Sequence, residues 1–430
     1  MRLITHLDPS QLRLGYLSCL TLVAGRQLDT RQGLLDRLSG FLFQVIDAKD
    51  PRWPIFMEEV DRTELDRIKP PTDEKMTALH ELFRVAVPDT PAYPLHILWL
   101  AQSGLPSHLG LLAVKNTERI LDMGRSFDIL TTGYALSEKG VFLQNFLLQS
   151  SPGIEKGGPE TNPFDVGSRL ALQLFFLYVL LSVDILTPFL VQEFAACSGG
   201  DLPNAPKLLT HAAERLIEAV DQSADITNIE ALREARTYFE RLRRKGVARN
   251  QAQPRYHHLF ELQFLSRVER EVEGRRIVPY VPNSACQRAA GVLAPLRDHP
   301  DDQQNLLDKH FFTWAAEIFG RPARKCDGDV RMLLYFARGF SYLQREIGFT
   351  PGRTIALAGC LLALEDGWIV EVAEMFNLLQ RMAAGPWRPY LEYSGGSRLD
   401  QEFLIKIKPG LVPALERLLV ERTEQSAPVA

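Results

Sequence analysis

The 430-residue chain has only five cysteines, Cys19, Cys197, Cys286, Cys326 and Cys360, and no two stand close in sequence. An odd, scattered set excludes a disulfide framework and a CxxC zinc knuckle, and it fits a reducing compartment. Charge of one sign is also lacking: 49 Lys and Arg oppose 53 Asp and Glu, a net of -4. A uniformly basic nucleic-acid coat is excluded, whereas a local basic face is not. Catalytic signatures are equally scarce. The chain has no GxxxxGK[ST] loop for a nucleotide phosphate, no GxSxG elbow and no HExxH pair. Among nine histidines only His257 and His258 are close. Adjacent residues on a helix point to different faces, which argues against a shared metal. Asp327 and Asp329 beside Lys325 are ingredients of a divalent-metal site, but the D-G-D spacing fits a polar turn, with Asp329 capping the next helix, at least as well. We therefore expect a protein that is not an enzyme and that has no cofactor and no metal.

The opening MRLITHLDPS lacks the apolar core of a signal peptide, so a cytoplasmic location is expected. One stretch, LALQLFFLYVLLSVDILTPFLV from Leu170 to Val191, is nearly long enough to span a bilayer. It carries Gln173, Ser182, Asp184 and Pro188, and an Asp near the end of a lone span is costly. A helix apolar all round also suits the centre of a large helical protein, and that is the expectation: no membrane contact.

What the chain does have is helical periodicity. Residues 1–88 place apolar residues at three- and four-residue spacing, and Asp29 or Thr30 can cap the helix that follows. SPGIEKGGPETNPF at 151–164 is the clearest linker, SGGDLPNAP at 198–206 is another, and residues 292–304 form a third boundary. These breaks suggest a helical region at 1–88, a segment at 89–150, a helical core region at 160–225, a basic segment at 226–292 and a helical region at 305–430. The fold class expected is mainly α, multi-domain, with a few short hairpins.

Three segments share one order: a helix, a turn, a second helix, then two short strands around a polar tip. That order resembles the winged helix-turn-helix superfamily, whose later helix can enter the major groove. The first, 89–150, contains KNTERILDMGRSFDIL, similar to a recognition helix. TTGYALSEKG follows, resembling the Y-x-L-(T/S)-x-x-G close of bacterial winged helices at Tyr134, Leu136, Ser137 and Gly140. Tyr134 and Leu136 alternate as a half-buried strand should, and Gly140 allows the turn. The second, 226–292, opens with the capping box Thr227 and Glu230 and closes with EREVEGRRIVPYV, similar to a wing with Gly274 at its tip. The third, 350–410, has two helices parted near Asp366–Gly367 and a hairpin with alternating Phe403, Ile405 and Ile407. Its second helix carries Glu371 and Glu374 and would repel phosphate, which suits protein contact. The resemblance implies two or three winged-helix units with short β-hairpin wings.

Residues 231–290 hold 13 Lys and Arg against 6 Glu and no Asp, a local +7, which leaves about -11 for the rest of the chain. This is the chain's strongest nucleic-acid signal. In that segment Arg241, Arg243, Arg244, Lys245, Arg249 and Arg255 are expected to meet phosphates. Tyr256 and His257, with His258, are expected near bases or sugars, and Arg275 and Arg276 beside the wing tip. In the first segment Lys115, Asn116, Thr117 and Arg119 stand near the N-terminal half of the recognition-like helix. Arg and Glu also alternate along 228–245, a pattern that suits a solvated face with i,i+4 pairs. The expected function is non-enzymatic binding of double-stranded DNA, mainly through 226–292. The alternative is a protein-docking subunit of a larger bacterial DNA-handling or antiphage defence complex, and protein partners are expected in either case.

Overall fold

The computed structural model describes residues 1–7, 13–49, 118–156, 163, 166–167, 169–197, 205–222, 229–244, 246–268, 270–272, 275–277, 280–326, 328–343, 349–382, 385–395 and 403–426. Helices α1 (Gly15–Val23) and α2 (Arg31–Lys49) come first. Thr30 caps α2, its Oγ1 accepting from Gly33 N at 3.1 Å. Residues 118–126 form α3. Ser137 caps α4 (Glu138–Ser150) by accepting from Gly140 N. The long apolar stretch yields two helices, α5 (Leu170–Val183) and α6 (Leu186–Ala195), bent by 112° at the break. The break falls at Asp184, which is fully buried and accepts a hydrogen bond from Ile4 N at 3.3 Å. A buried carboxylate needs donors, and leaving the helix there brings one.

Next come α7 (Ala205–Gln222), α8 (Ile229–Leu242) and α9 (Val247–Glu261). A two-part antiparallel ribbon follows. Its base pairs β1 (Leu265–Arg267) with β4 (Tyr280–Pro282), and its outer part pairs β2 (Arg270–Val272) with β3 (Arg275–Ile277). Helices α10 (Ser284–Val292), α11 (Ala294–Asp298) and α12 (Gln303–Ile318) lead to β5 (Arg324–Lys325) and α13 (Asp329–Leu343). The remaining elements are β6 (Thr350–Pro351), α14 (Gly352–Glu365), β7 (Trp368–Ile369), α15 (Val372–Met382), β8 (Leu391–Gly395), β9 (Phe403–Ile407) and α16 (Leu411–Ser426). The fold is mainly α. No helix among the described residues is long and apolar enough to cross a membrane, and α5 is buried from Ala171 to Val183.

Contacts divide the chain into two units. The first holds Met1–Thr5, Gly167–Ala248 and Leu262–Ala430; the second holds His6–Val166 and Arg249–Glu261. This grouping differs from the sequence boundaries, because it assigns α8 and the ribbon to one unit and most of α9 to the other.

In the second unit, residues 249–261 of α9 form a core helix. Gln251 accepts from Leu7 N at 3.0 Å and donates back to Leu7 O. Glu261 accepts from Leu14 N at 2.6 Å and from Arg13 Nε at 2.8 Å, which fixes the entry to α1. The segment expected to be the first wing is not a strand pair. It closes on a single bridge, Leu130 to Leu136, with Tyr134 at φ 58°. A tyrosine in the left-handed region makes a turn and cannot continue a strand. Gly140 sits inside a capped helix rather than at a turn of special φ. Its lack of a side chain matters because a Cβ there would lie 2.3 Å from Ile129 O. Replacing Gly140 by alanine is expected to cost about 2 kcal/mol, although alanine is the better helix former by about 1 kcal/mol. Urea unfolding of the variant checks the sign.

In the first unit the C-terminal third is built on α13 and α14. Three strands form one antiparallel sheet in the order β6-β9-β8, with Thr350 opposite Ile405 and Tyr393 opposite Ile405 from the other side. Helix α15 packs against α12, α13 and α14 and buries Met375, Phe376, Leu378 and Leu379. Glu371, just before α15, ties it to α12 by accepting from Phe312 N, Thr313 N and Thr313 Oγ1 at 3.0, 2.8 and 2.7 Å. Burial raises the Glu371 pKa above the ordinary carboxylate value, against the pull of those hydrogen bonds.

Candidate nucleic-acid interface

Helix α8 is amphipathic by construction. Ala235, Tyr238 and Leu242, spaced three and four apart, are buried, and the helix packs on α7. The opposite face, continued by the turn just past Leu242, carries exposed Arg233, Arg236, Arg243 and Arg244. Arg233 and Arg236, one helical turn apart, lie on the side away from the buried residues, and Arg243 and Arg244 follow in the turn past the helix end. From Arg233 to Arg244 the rise is about 16 Å.

The charges on this face are only loosely committed. Arg236 reaches Asp221 at 3.2 Å and Arg243 reaches Glu240 at 3.6 Å, with every partner more than half exposed. Exposed pairs of this kind are worth about 0–1 kcal/mol, little enough for a phosphate to displace them. Arg233 and Arg244 make no ion pair with a described residue. The Arg243 guanidinium lies 5.9 Å from the centroid of the Phe239 ring. Thr237 sits on the same face, with its hydroxyl donating to Arg233 O at 2.7 Å. The first turns of α8 carry Glu230 and Glu234, while Arg241 stands in the last turn and Arg243 and Arg244 just beyond it. That distribution suits a helix dipole.

The residues expected to touch DNA are not all on the surface. Arg243, Arg244 and, in the second unit, Arg249 are exposed. Arg241 is half-buried and donates to Thr5 O at 3.4 Å. Arg255 and Tyr256 are placed differently from the expectation: they are only 2% and 5% exposed and belong to the core of the second unit. Arg255 donates to Gln251 O at 3.1 Å within its own helix. His258 is fully buried, edge-on to Phe127 at 5.8 Å, and His257 is half-buried. A guanidinium or ring enclosed in this way cannot reach a phosphate or a base edge. Arg275 and Arg276 lie on β3, Arg276 in register with Glu271. Arg119 is half-buried on α3. Lys115, Asn116, Thr117 and Lys245 lie outside the described residues, as do Thr227, Gly274 and Asp327. Sequence reasoning passed over Arg233 and Arg236. Counting back by helical turns from Arg244 through Glu240 and Thr237 reaches Arg233, and from Arg243 through Phe239 reaches Arg236.

Other polar clusters have internal partners. Asp308 accepts from Tyr178 Oη at 3.1 Å and from Gln304 Nε2 at 3.1 Å and pairs with Arg353, joining α5, α12 and α14. Among the described residues no group of three or more His, Cys, Asp or Glu side chains could hold a metal ion. No protein-family model matches the chain, and comparison with curated proteins and with solved structures finds no match.

Proposed function

We propose that this is a non-enzymatic protein that binds double-stranded DNA through the outer face of α8. The observation that carries this reading is the run Arg233, Arg236, Arg243 and Arg244, all exposed on α8 and the turn that follows it, with two members free of ion pairs to any described residue. It lies within the basic segment of a chain whose remainder is acidic. The test is fluorescence anisotropy with a labelled generic duplex at low and near-physiological salt. Wild type is expected to bind in a salt-sensitive manner, and Arg243→Glu/Arg244→Glu to bind at least about tenfold more weakly. Absence of duplex binding at low salt would sink the proposal.

A second reading has its own observation. From α13 to β9, apart from β7, which pairs with β5, the order is helix, strand, helix, helix, strand, strand, with the first strand paired to the last. That order resembles a winged helix, the likeness on which this second reading rests. Its third helix, α15, is the one that would read DNA, yet its apolar residues are buried and it is held to α12 through Glu371. A winged helix arranged this way supports docking within a larger DNA-handling assembly rather than groove reading. A complex with a protein partner that survives high salt would favour it.

A further inference from the structure

We infer that α8 recognises duplex DNA without regard to sequence, through phosphates alone, with Arg233, Arg236, Arg243 and Arg244 as the contacts. The inference rests on the DNA reading above and specifies its mode.

Two features of the molecule carry it. The first is polarity along the helix. A recognition helix enters the major groove with its N-terminal residues against the base edges. The N-terminal half of α8 bears Glu230 and Glu234, with exposed Ile229 ahead of them. An acidic tip is repelled by the flanking phosphates, so α8 cannot enter end-on and instead lies across the backbone. The second is what the exposed face lacks. Asn and Gln, the bidentate adenine readers, are absent from α8, and its arginines, which can read guanine when presented end-on, stand beside or beyond the glutamates of the acidic tip. Its one hydroxyl on that face, Thr237 Oγ1, already donates to the helix backbone. The aromatic and imidazole groups that could have touched bases from the next helix, Tyr256 and His258, are inside the second unit.

What remains is a row of guanidinium groups about 16 Å long. Along one DNA strand that length presents about five phosphates. Four contacts predict a slope of log K against log salt of about -3.6. Removing two predicts about -1.8.

The experiment is competition anisotropy with full-length protein and three unlabelled duplexes of equal length: A·T-rich, G·C-rich and mixed. All three are expected to displace the labelled duplex within about threefold of one another, far below the discrimination of about a thousandfold or more shown by specific binders. The salt slope is measured for wild type and for Arg233→Gln/Arg244→Gln, with the far-ultraviolet spectrum and melting temperature of the variant compared with those of wild type to establish that it folds. A slope near -3.6 that halves in the variant supports the inference. One competitor bound a hundredfold better than the others, or a slope unmoved by the double substitution, overturns it while leaving DNA binding in place. No binding to any duplex at low salt overturns the DNA reading itself.

Discussion

Gly359→Val is expected to destabilise the first unit by about 4 kcal/mol or more. Helices α13 and α14 approach backbone to backbone. A Cβ on Gly359 would lie 2.8 Å from Tyr335 O and 2.9 Å from Met375 Sδ. Across the same seam, a Cβ on Gly339 would lie 2.6 Å from Gly359 N and 2.7 Å from Ile355 O. The obstacle is main chain on both sides, so no rotamer change relieves it. Any side chain there must push two buried helices apart, and with them Phe336, Phe340, Leu357 and Cys360. Better helix propensity offsets about 1 kcal/mol at most. Separating the helices opens voids along the whole seam, at a cost of about 4 kcal/mol or more. That is a large share of a stability of about 5–15 kcal/mol. Soluble yield and thermal denaturation by circular dichroism measure it. A Gly359→Val chain melting within about 2 °C of wild type would refute the close approach.

The second large effect is expected at Glu371. Truncation to alanine strips acceptors from Phe312 N, Thr313 N and Thr313 Oγ1 at once. Phe312 N is a buried donor, whereas Thr313 is exposed and can turn to water, so a loss of about 2–3 kcal/mol is expected in urea unfolding. The carboxylate also sets a pH dependence. Its pKa in the folded chain is raised, chiefly by burial, so the folded state holds this proton more tightly than the unfolded state does. The resulting contribution is fully present below the unfolded carboxylate pKa and is lost as pH rises through the raised value. Wild type should therefore lose stability relative to Glu371→Gln between mildly acid and neutral pH. A difference between the two that stays constant over that range would contradict the assignment.

The sequence was most legible where period and burial agree. In the third segment the two helices, their break near Asp366–Gly367 and the strand with Phe403, Ile405 and Ile407 all stand in the structure. The third strand there was not legible, because Thr350–Pro351 is too short for any alternation to show. The apolar stretch from Leu170 was rightly placed in a core, but its bend depends on Ile4, 180 residues away. Helix α9 misled most. A run such as Arg255, Tyr256, His257 and His258 belongs by residue type to a surface. Here residues 249–261 have neighbours throughout the second unit, and Gln251 and Glu261 serve the main chain at Leu7 and Leu14. No local pattern announces partners so distant. Tyr134 failed for the opposite reason: its alternation with Leu136 was local and correct for a strand, but Thr131 N bonding to Ala135 O closes a turn instead.

During biosynthesis the second unit is complete only when Arg249–Glu261 joins His6–Val166, after all of Gly167–Ala248 has been made. At about 5–20 residues per second, a ribosome takes roughly 5–20 s to travel from the end of the long segment to the end of the short one. During that interval the nascent His6–Val166 stretch has no donor for the acceptor at Leu7 O, no acceptor for Leu14 N and no ring against Phe127. Its apolar core lacks these partners until the last helix emerges.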